Sequence, residues 1–198
     1  MSNSITEVMR EKMLFLSKFL RTPKEIGSVT PSSKALARKM VEPVPWETVR
    51  NIAELGAGTG AVTKFIRSAK QPACKVLLFE KDDYLREQLA KQYPDFPGYP
   101  DASQLLSVMK RERGEQLDCI LSGLPFFNFP QAFRDRLIDQ IVTSLKPGGL
   151  FIAFQYSLQM RDQLDRHFDM VRVKFVPFNI PPAFVYICRK KEISAHEA

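Results

Sequence analysis

From Asn51 onward, short apolar runs alternate with stretches of helical periodicity, and no other feature limits the fold as tightly. Strands are expected at residues 51–55, 75–79, 98–99, 117–121 and 150–155. Helices at 61–70, 82–92, 102–110, 130–145 and 158–167 fill the intervals. Alternation at this spacing builds βαβ units, hence a mostly parallel sheet with helices on both faces. The last two runs, 170–176 and 183–188, are joined only by a Pro-rich loop. A parallel crossover needs about a dozen residues or more, so these two strands pair antiparallel. A chain of 198 residues is long enough for one such core and short for two.

The charge is concentrated at the beginning. The chain holds 29 Lys and Arg against 22 Asp and Glu, a net +7, and residues 1–40 contribute +5 of it. In that segment Ile5, Val8, Met9, Met13, Leu16 and Leu20 recur at helical spacing with basic residues on the other face, and Pro23 and Gly27 end the pattern. A second helix is expected from an N-cap at Ser32 or Ser33 to about Val41. The excess of positive charge favours an anionic partner, either nucleic acid or an acidic membrane surface. Glu7, Arg10, Glu11, Lys12 and Lys18 interrupt the first apolar stretch, which excludes a signal peptide. No run reaches the ~18 apolar residues of a membrane-spanning helix. Cys74, Cys119 and Cys188 are odd in number and widely spaced, with only His167 and His196 to help, so neither a metal site nor a disulfide framework is expected. They read as reduced, buried thiols of a cytosolic protein.

The run 51–55 leads into Glu54-Leu55-Gly56-Ala57-Gly58-Thr59-Gly60, which opens the next helix. Glycines here let the backbone turn tightly and approach a ligand beside the orphan N–H groups of a helix start. The spacing is not the G-x-G-x-x-G of a dinucleotide fingerprint, and the Gly-Lys-Ser/Thr of a phosphate loop is absent. The carboxylate of Glu54 repels a pyrophosphate and suits a cationic ligand. Glu80 ends the second apolar run, 20 residues after Gly60. An acid in that place either accepts two ribose hydroxyls or is a solvated strand-end charge.

These residues resemble the class I S-adenosylmethionine-dependent methyltransferases: Glu54 with the glycine loop, the strand-end Glu80, the Asp101-Ala102 step and the seven-strand plan. The resemblance covers residues 25–190 and implies strand order 3-2-1-4-5-7-6, with strand 7 antiparallel. It implies an S-adenosyl-L-methionine site in which Glu54, Gly56, Ala57, Gly58 and Gly60 face the methionine part. Glu80, with Lys81 beside it, holds the ribose there, and Asp101 and Ala102 flank the adenine.

Ser122-Gly123-Leu124-Pro125-Phe126 is similar to the Asn/Asp/Ser-Pro-Pro-Tyr/Phe motif of N-methyltransferases and to the Asn-Leu-Pro-Tyr of ribosomal RNA adenine dimethylases. In those families the motif's carbonyl and polar side chain hold an amine beside the methyl donor, and the ring stacks on the base; Ser122 also lies at the cofactor. The opening from Phe19 to Ser33, with its Gly27-x-x-x-Pro31-Ser32-Ser33 step, resembles bacterial phospholipid N-methyltransferases. So does the loop Asn179-Ile180-Pro181-Pro182-Ala183. That likeness implies methylation of the phosphatidylethanolamine amine by a monomer on the inner face of the cytoplasmic membrane, without a metal. An amphipathic basic helix over residues 1–24 either lies in the headgroup region, with Arg10, Lys18, Phe19, Arg21 and Lys24 toward the lipid, or caps the sheet. The methyltransferase domain spans 25–191, and 192–198 is a frayed tail. Phe126 and Phe127 are candidate walls of the amine site, and Tyr156 either faces the amine or packs at the rim. Trp46 reads as packing. Nucleic-acid adenine methylation and a non-catalytic donor- or membrane-binding protein are the competing readings.

Overall fold

The computed structural model describes residues 32–112 and 115–191. The basic segment expected over 1–24 and the tail 192–198 lie outside the described residues.

Ser33 starts the first helix, α1 (Lys34–Val41), by accepting a hydrogen bond from the Leu36 N–H at 3.1 Å. Leu36, Ala37, Met40 and Val41 form its buried face. The chain then alternates through β1 (Asn51–Leu55), α2 (Thr63–Ala69), β2 (Lys75–Phe79), α3 (Asp83–Gln92) and β3 (Gly98–Tyr99). It continues through α4 (Leu105–Arg111), β4 (Leu117–Ser122), α5 (Gln131–Ser144), β5 (Leu145–Gln155), α6 (Arg161–His167), β6 (Phe168–Val176) and β7 (Ala183–Lys190). Short 3₁₀ turns at Ala102–Gln104 and Phe126–Asn128 precede α4 and α5.

The seven strands form one sheet in the order β3-β2-β1-β4-β5-β7-β6. β1 to β5 run parallel, and β7 pairs antiparallel with both β5 and β6. All five residues of β1 are buried, as a central strand covered on both faces requires. Its side chains alternate between two cores. Ile52 joins Leu36, Met40, Ile66 and Leu89 beneath α1, α2 and α3. Ala53 and Leu55 join Leu105, Ile138, Ile141 and Leu164 beneath α4, α5 and α6. Trp46 packs on the first core, and its indole N–H donates to the Val41 carbonyl at 3.1 Å. The three cysteines are free and buried, and burial pushes each thiol's pKa up.

Several boundaries differ from the sequence reading: α4 begins at Leu105, not 102, α6 at Arg161, not 158, and β6 at Phe168, not 170. β5 begins at Leu145, not 150, because Leu145 already pairs with Leu117 before a bulge carries the chain through Lys146–Gly149 to the Cys119–Leu150 pairing. α2 begins at Thr63, not 61, after Val62, which makes no side-chain cap; the Thr63 hydroxyl instead donates to Glu54 at 2.7 Å.

Candidate active site

Parallel β1, β2, β4 and β5 end along one edge of the sheet, and the loops leaving them meet there. The glycine loop is pinned to the end of β2. The N–H groups of Gly56 and Ala57 both donate to the Phe79 carbonyl, at 2.8 and 3.0 Å. Gly58 donates its N–H to one oxygen of Glu80 at 2.7 Å, and Asp82 donates to the other at 2.9 Å. A carboxylate offers about four acceptor sites, so Glu80 keeps two for a diol. Its own backbone is held from below by Arg86, whose guanidinium donates to the Glu80 carbonyl at 3.0 Å.

Gly58 (φ +56°) has nothing within 4 Å of the place a Cβ would occupy, so the loop presents bare backbone to open space beside Glu80. Gly56 (φ +76°) serves a different end: a Cβ there would stand 3.0 Å from Leu124. The loop after β4 is drawn equally close, because the Gly123 N–H donates to the Leu55 carbonyl at 2.8 Å. The glycine loop and the Ser122–Phe126 loop are thereby in contact. Gly60 lies on the helix side, facing Leu89 and Tyr93.

Glu54 is 2% exposed in the floor of this cleft. Its carboxyl accepts the Thr63 hydroxyl at 2.7 Å, at the first residue of α2. Burial pushes its pKa up to about 8, the Glu80 carboxylate adds to that, and the Thr63 hydroxyl works against it. A cation placed beside the loop would favour the charged form of Glu54, opposing the effect of burial. Asp101 caps the 3₁₀ turn after β3, accepting from the Ser103 N–H at 2.8 Å, with Ala102 half-buried beside it. Lys81 is exposed next to Glu80. This donor set fits a nucleoside-linked cation: two acids for hydroxyls and positive charge, and open glycine backbone between them.

The chain matches no family sequence profile. It is 34% identical over 190 residues to the ornithine lipid N-methyltransferase of Singulisphaera acidiphila, across 91% of this chain and 97% of that protein. The chain belongs to the class I S-adenosylmethionine-dependent methyltransferases. This methyltransferase is also 24% identical to the ribosomal RNA small subunit methyltransferase A of Streptococcus gordonii, over 96% of its own length and 71% of the other's. Its fold is that of the N-methyltransferase NodS of Bradyrhizobium japonicum, solved with S-adenosyl-L-homocysteine (TM-score 0.64, 14% identity, 78% of this chain and 83% of that one).

The loop after β4 departs from expectation in two places. Phe126 does not wall the methyltransferase's cleft: it is 1% exposed and points into the core, edge-on to Phe129 at 6.3 Å and to Phe151 at 6.0 Å. Its neighbour Phe127 is the exposed ring, with the Arg134 guanidinium 5.7 Å above it. Ser122 is fully buried, and its hydroxyl accepts from the Leu124 N–H at 3.2 Å, so it shapes the turn instead of facing a ligand. Pro125 makes that turn tight, and the Leu124 carbonyl at its apex accepts from the Phe126 N–H and from the Gln155 side chain, both at 2.9 Å.

Gln155 is a residue the sequence reading missed. It is buried, and its amide donates to both the Leu124 and Phe154 carbonyls, the latter at 2.6 Å. The available signal was one polar side chain closing an apolar run. Thr63 and Arg86 were missed as well. Tyr156 is half-buried, edge-on to Phe154 at 5.7 Å, with the Asn179 amide against its hydroxyl. Burial raises its phenol pKa and the Asn179 contact works against this, so the ring stays a neutral hydrogen-bonding group near neutral pH. Arg10, Lys18, Phe19, Arg21 and Lys24 lie outside the described residues.

Proposed function

We propose that this methyltransferase N-methylates the primary amine of a membrane lipid headgroup. The observation that carries this reading is the likeness to the lipid N-methyltransferase along nearly the whole of both chains. The contact between the glycine loop and the Ser122–Phe126 loop supports it, since it brings the donor cleft and the motif that resembles an amine-holding loop to one place.

Bound S-adenosylmethionine supplies a methyl group on a sulfonium cation. The residues of the chain position and desolvate. Glu80 offers its two remaining acceptor sites to the ribose hydroxyls, Glu54 and the glycine loop face the methionine part, and Asp101 and Ala102 border the adenine. Gly123 and Leu124 border the acceptor amine, with Gln155 fixing the turn through the Leu124 carbonyl and Tyr156 closing the rim. Alignment and exclusion of water are the main contributions open to a protein in an in-line displacement of this kind. The basic segment with Arg10, Lys18, Phe19, Arg21 and Lys24 draws the enzyme to anionic lipid on the inner face of the cytoplasmic membrane.

Phosphatidylethanolamine is the headgroup that the sequence resemblance favours, and the Singulisphaera acidiphila relative supports ornithine lipid as a second reading. The test is transfer of labelled methyl from S-adenosylmethionine to vesicles holding one aminolipid or the other, with ribosomal RNA as a third acceptor. Lipid-extractable label is the expected result. Label in RNA alone, or none despite bound donor, overturns the proposal.

A further inference from the structure

The large apolar side chains that stand exposed among the described residues are all on one side of the molecule. Tyr84 follows β2, Phe127 follows β4, Leu158 follows β5, and Phe175, Phe178 and Ile180 lie at and beyond the end of β6. Each stands at the edge where the parallel strands end. The β6–β7 turn joins that edge because Val176 pairs with Ala183 and Gln155 with Phe184. Singly scattered exposed apolar residues need no explanation; a set confined to one edge marks an interaction surface.

The turn itself is the most prominent part of this surface. Phe178 is 84% exposed and Ile180 is 64% exposed, while Asn179 between them is 3% exposed. The Asn179 amide accepts the Ser33 N–H at 2.9 Å and donates to the Pro181 carbonyl at 2.7 Å. A buried amide thus anchors the turn and holds two apolar side chains outward. The same anchor holds Ser33, and residues 1–40 of the sequence carry a net +5. A protruding apolar tip on a chain whose first 40 residues are basic in sequence matches the chemistry of an anionic lipid surface, which takes apolar groups at the acyl boundary and cations at the headgroups.

We propose that the β6–β7 turn is a membrane wedge: Phe178 and Ile180 enter the acyl boundary of an anionic bilayer and seat the donor edge of the sheet on the lipid. The proposal rests on the lipid-amine reading above and adds the surface through which the lipid is reached.

The experiment uses the full chain with Phe178→Cys carrying an environment-sensitive fluorophore, the native Cys74, Cys119 and Cys188 being buried. Vesicles of phosphatidylethanolamine and phosphatidylglycerol should shift the label's emission to the blue. Phe178→Asp with Ile180→Asp should lower vesicle partitioning about a hundredfold, roughly tenfold for each partly inserted side chain, with S-adenosylhomocysteine binding unchanged. A label that stays solvated on protein bound to vesicles, or a chain that binds no vesicles, overturns the wedge. So does a label already shielded before vesicles are added, which means that this chain's own first segment or a second copy covers the tip. Insertion without methyl transfer to lipid sinks the lipid-amine reading and leaves the wedge standing. Methyl transfer with a solvated label does the reverse.

Discussion

Replacing Glu54 by Gln isolates the most perturbed acid of the cleft. The carboxyl is 2% exposed, and burial moves its pKa from an ordinary 4.5 to about 8. The folded state therefore holds this proton to higher pH than the unfolded chain does. The stabilisation that results is complete below pH 4.5 and is lost as pH rises through about 8. Integrated from pH 6 to pH 9, the loss is about 3 kcal/mol. For a domain of this size that is about 6–12 °C in Tm. Glu54→Gln keeps the shape and an acceptor for Thr63 but has nothing to ionise. Thermal unfolding of donor-free wild type and variant across this pH range is the assay. The wild-type Tm should fall away from that of the variant as pH rises, by about that amount. Parallel curves would refute the assignment of a neutral, buried carboxyl.

Glu80→Ala removes the acceptors of the Gly58 and Asp82 N–H groups and the two sites left for a diol, so donor affinity measured by calorimetry should fall at least tenfold, from loss of charged hydrogen bonds worth about 1.5–3 kcal/mol each; an unchanged affinity would place the ribose elsewhere. Phe126→Ala should cost about 3–5 kcal/mol of stability as a core truncation, whereas Phe127→Ala should leave Tm within about 2 °C, surface changes being worth about 0.5 kcal/mol or less; equal effects in a denaturation series would contradict the orientation of this pair. Gln155→Leu removes two buried hydrogen bonds and should lower stability by about 1–3 kcal/mol. Because Gln155 fixes the turn proposed to border the amine, its loss should lower kcat with the donor KM unchanged, and an unaltered kcat would confine Gln155 to packing.

The parallel strands were legible as short, largely apolar runs between helical stretches, and the antiparallel pair from a final loop too short to cross over; the order of the sheet came from the resemblance of the glycine loop and its acids to the methyltransferases. The cap of α1 was legible too, since Ser33 stands directly before an apolar helical stripe. The early start of β5 was not: Lys146-Pro147-Gly148-Gly149 reads locally as a turn, and only pairing of Leu145 with Leu117 recruits it into the sheet. The choice between Phe126 and Phe127 is of the same kind. Two identical neighbours in one 3₁₀ turn carry no local mark of which faces inward, and the answer comes from Phe129 and Phe151 across the core. Glu54 was legible as an acid beside a glycine loop, but its bond to Thr63 closes over nine residues of turn and helix start and belongs to tertiary structure.

The direction of β7 divides the labour of the sheet. Because β7 runs against β5 and β6, the six residues linking β6 to β7 reach the reactive edge without a helix to carry them there. Glu54, the glycine loop, Glu80 and Asp101 belong to the half of the sheet built on β1 to β3, while Gln155, Tyr156 and the β6–β7 link belong to the other half. A lengthened or reshaped link would therefore alter that edge without disturbing the strands that carry Glu54, Glu80 and Asp101. On the proposed lipid-amine reading, a change of acceptor needs an exchange at this one hairpin only, with β1 to β3 left as they are.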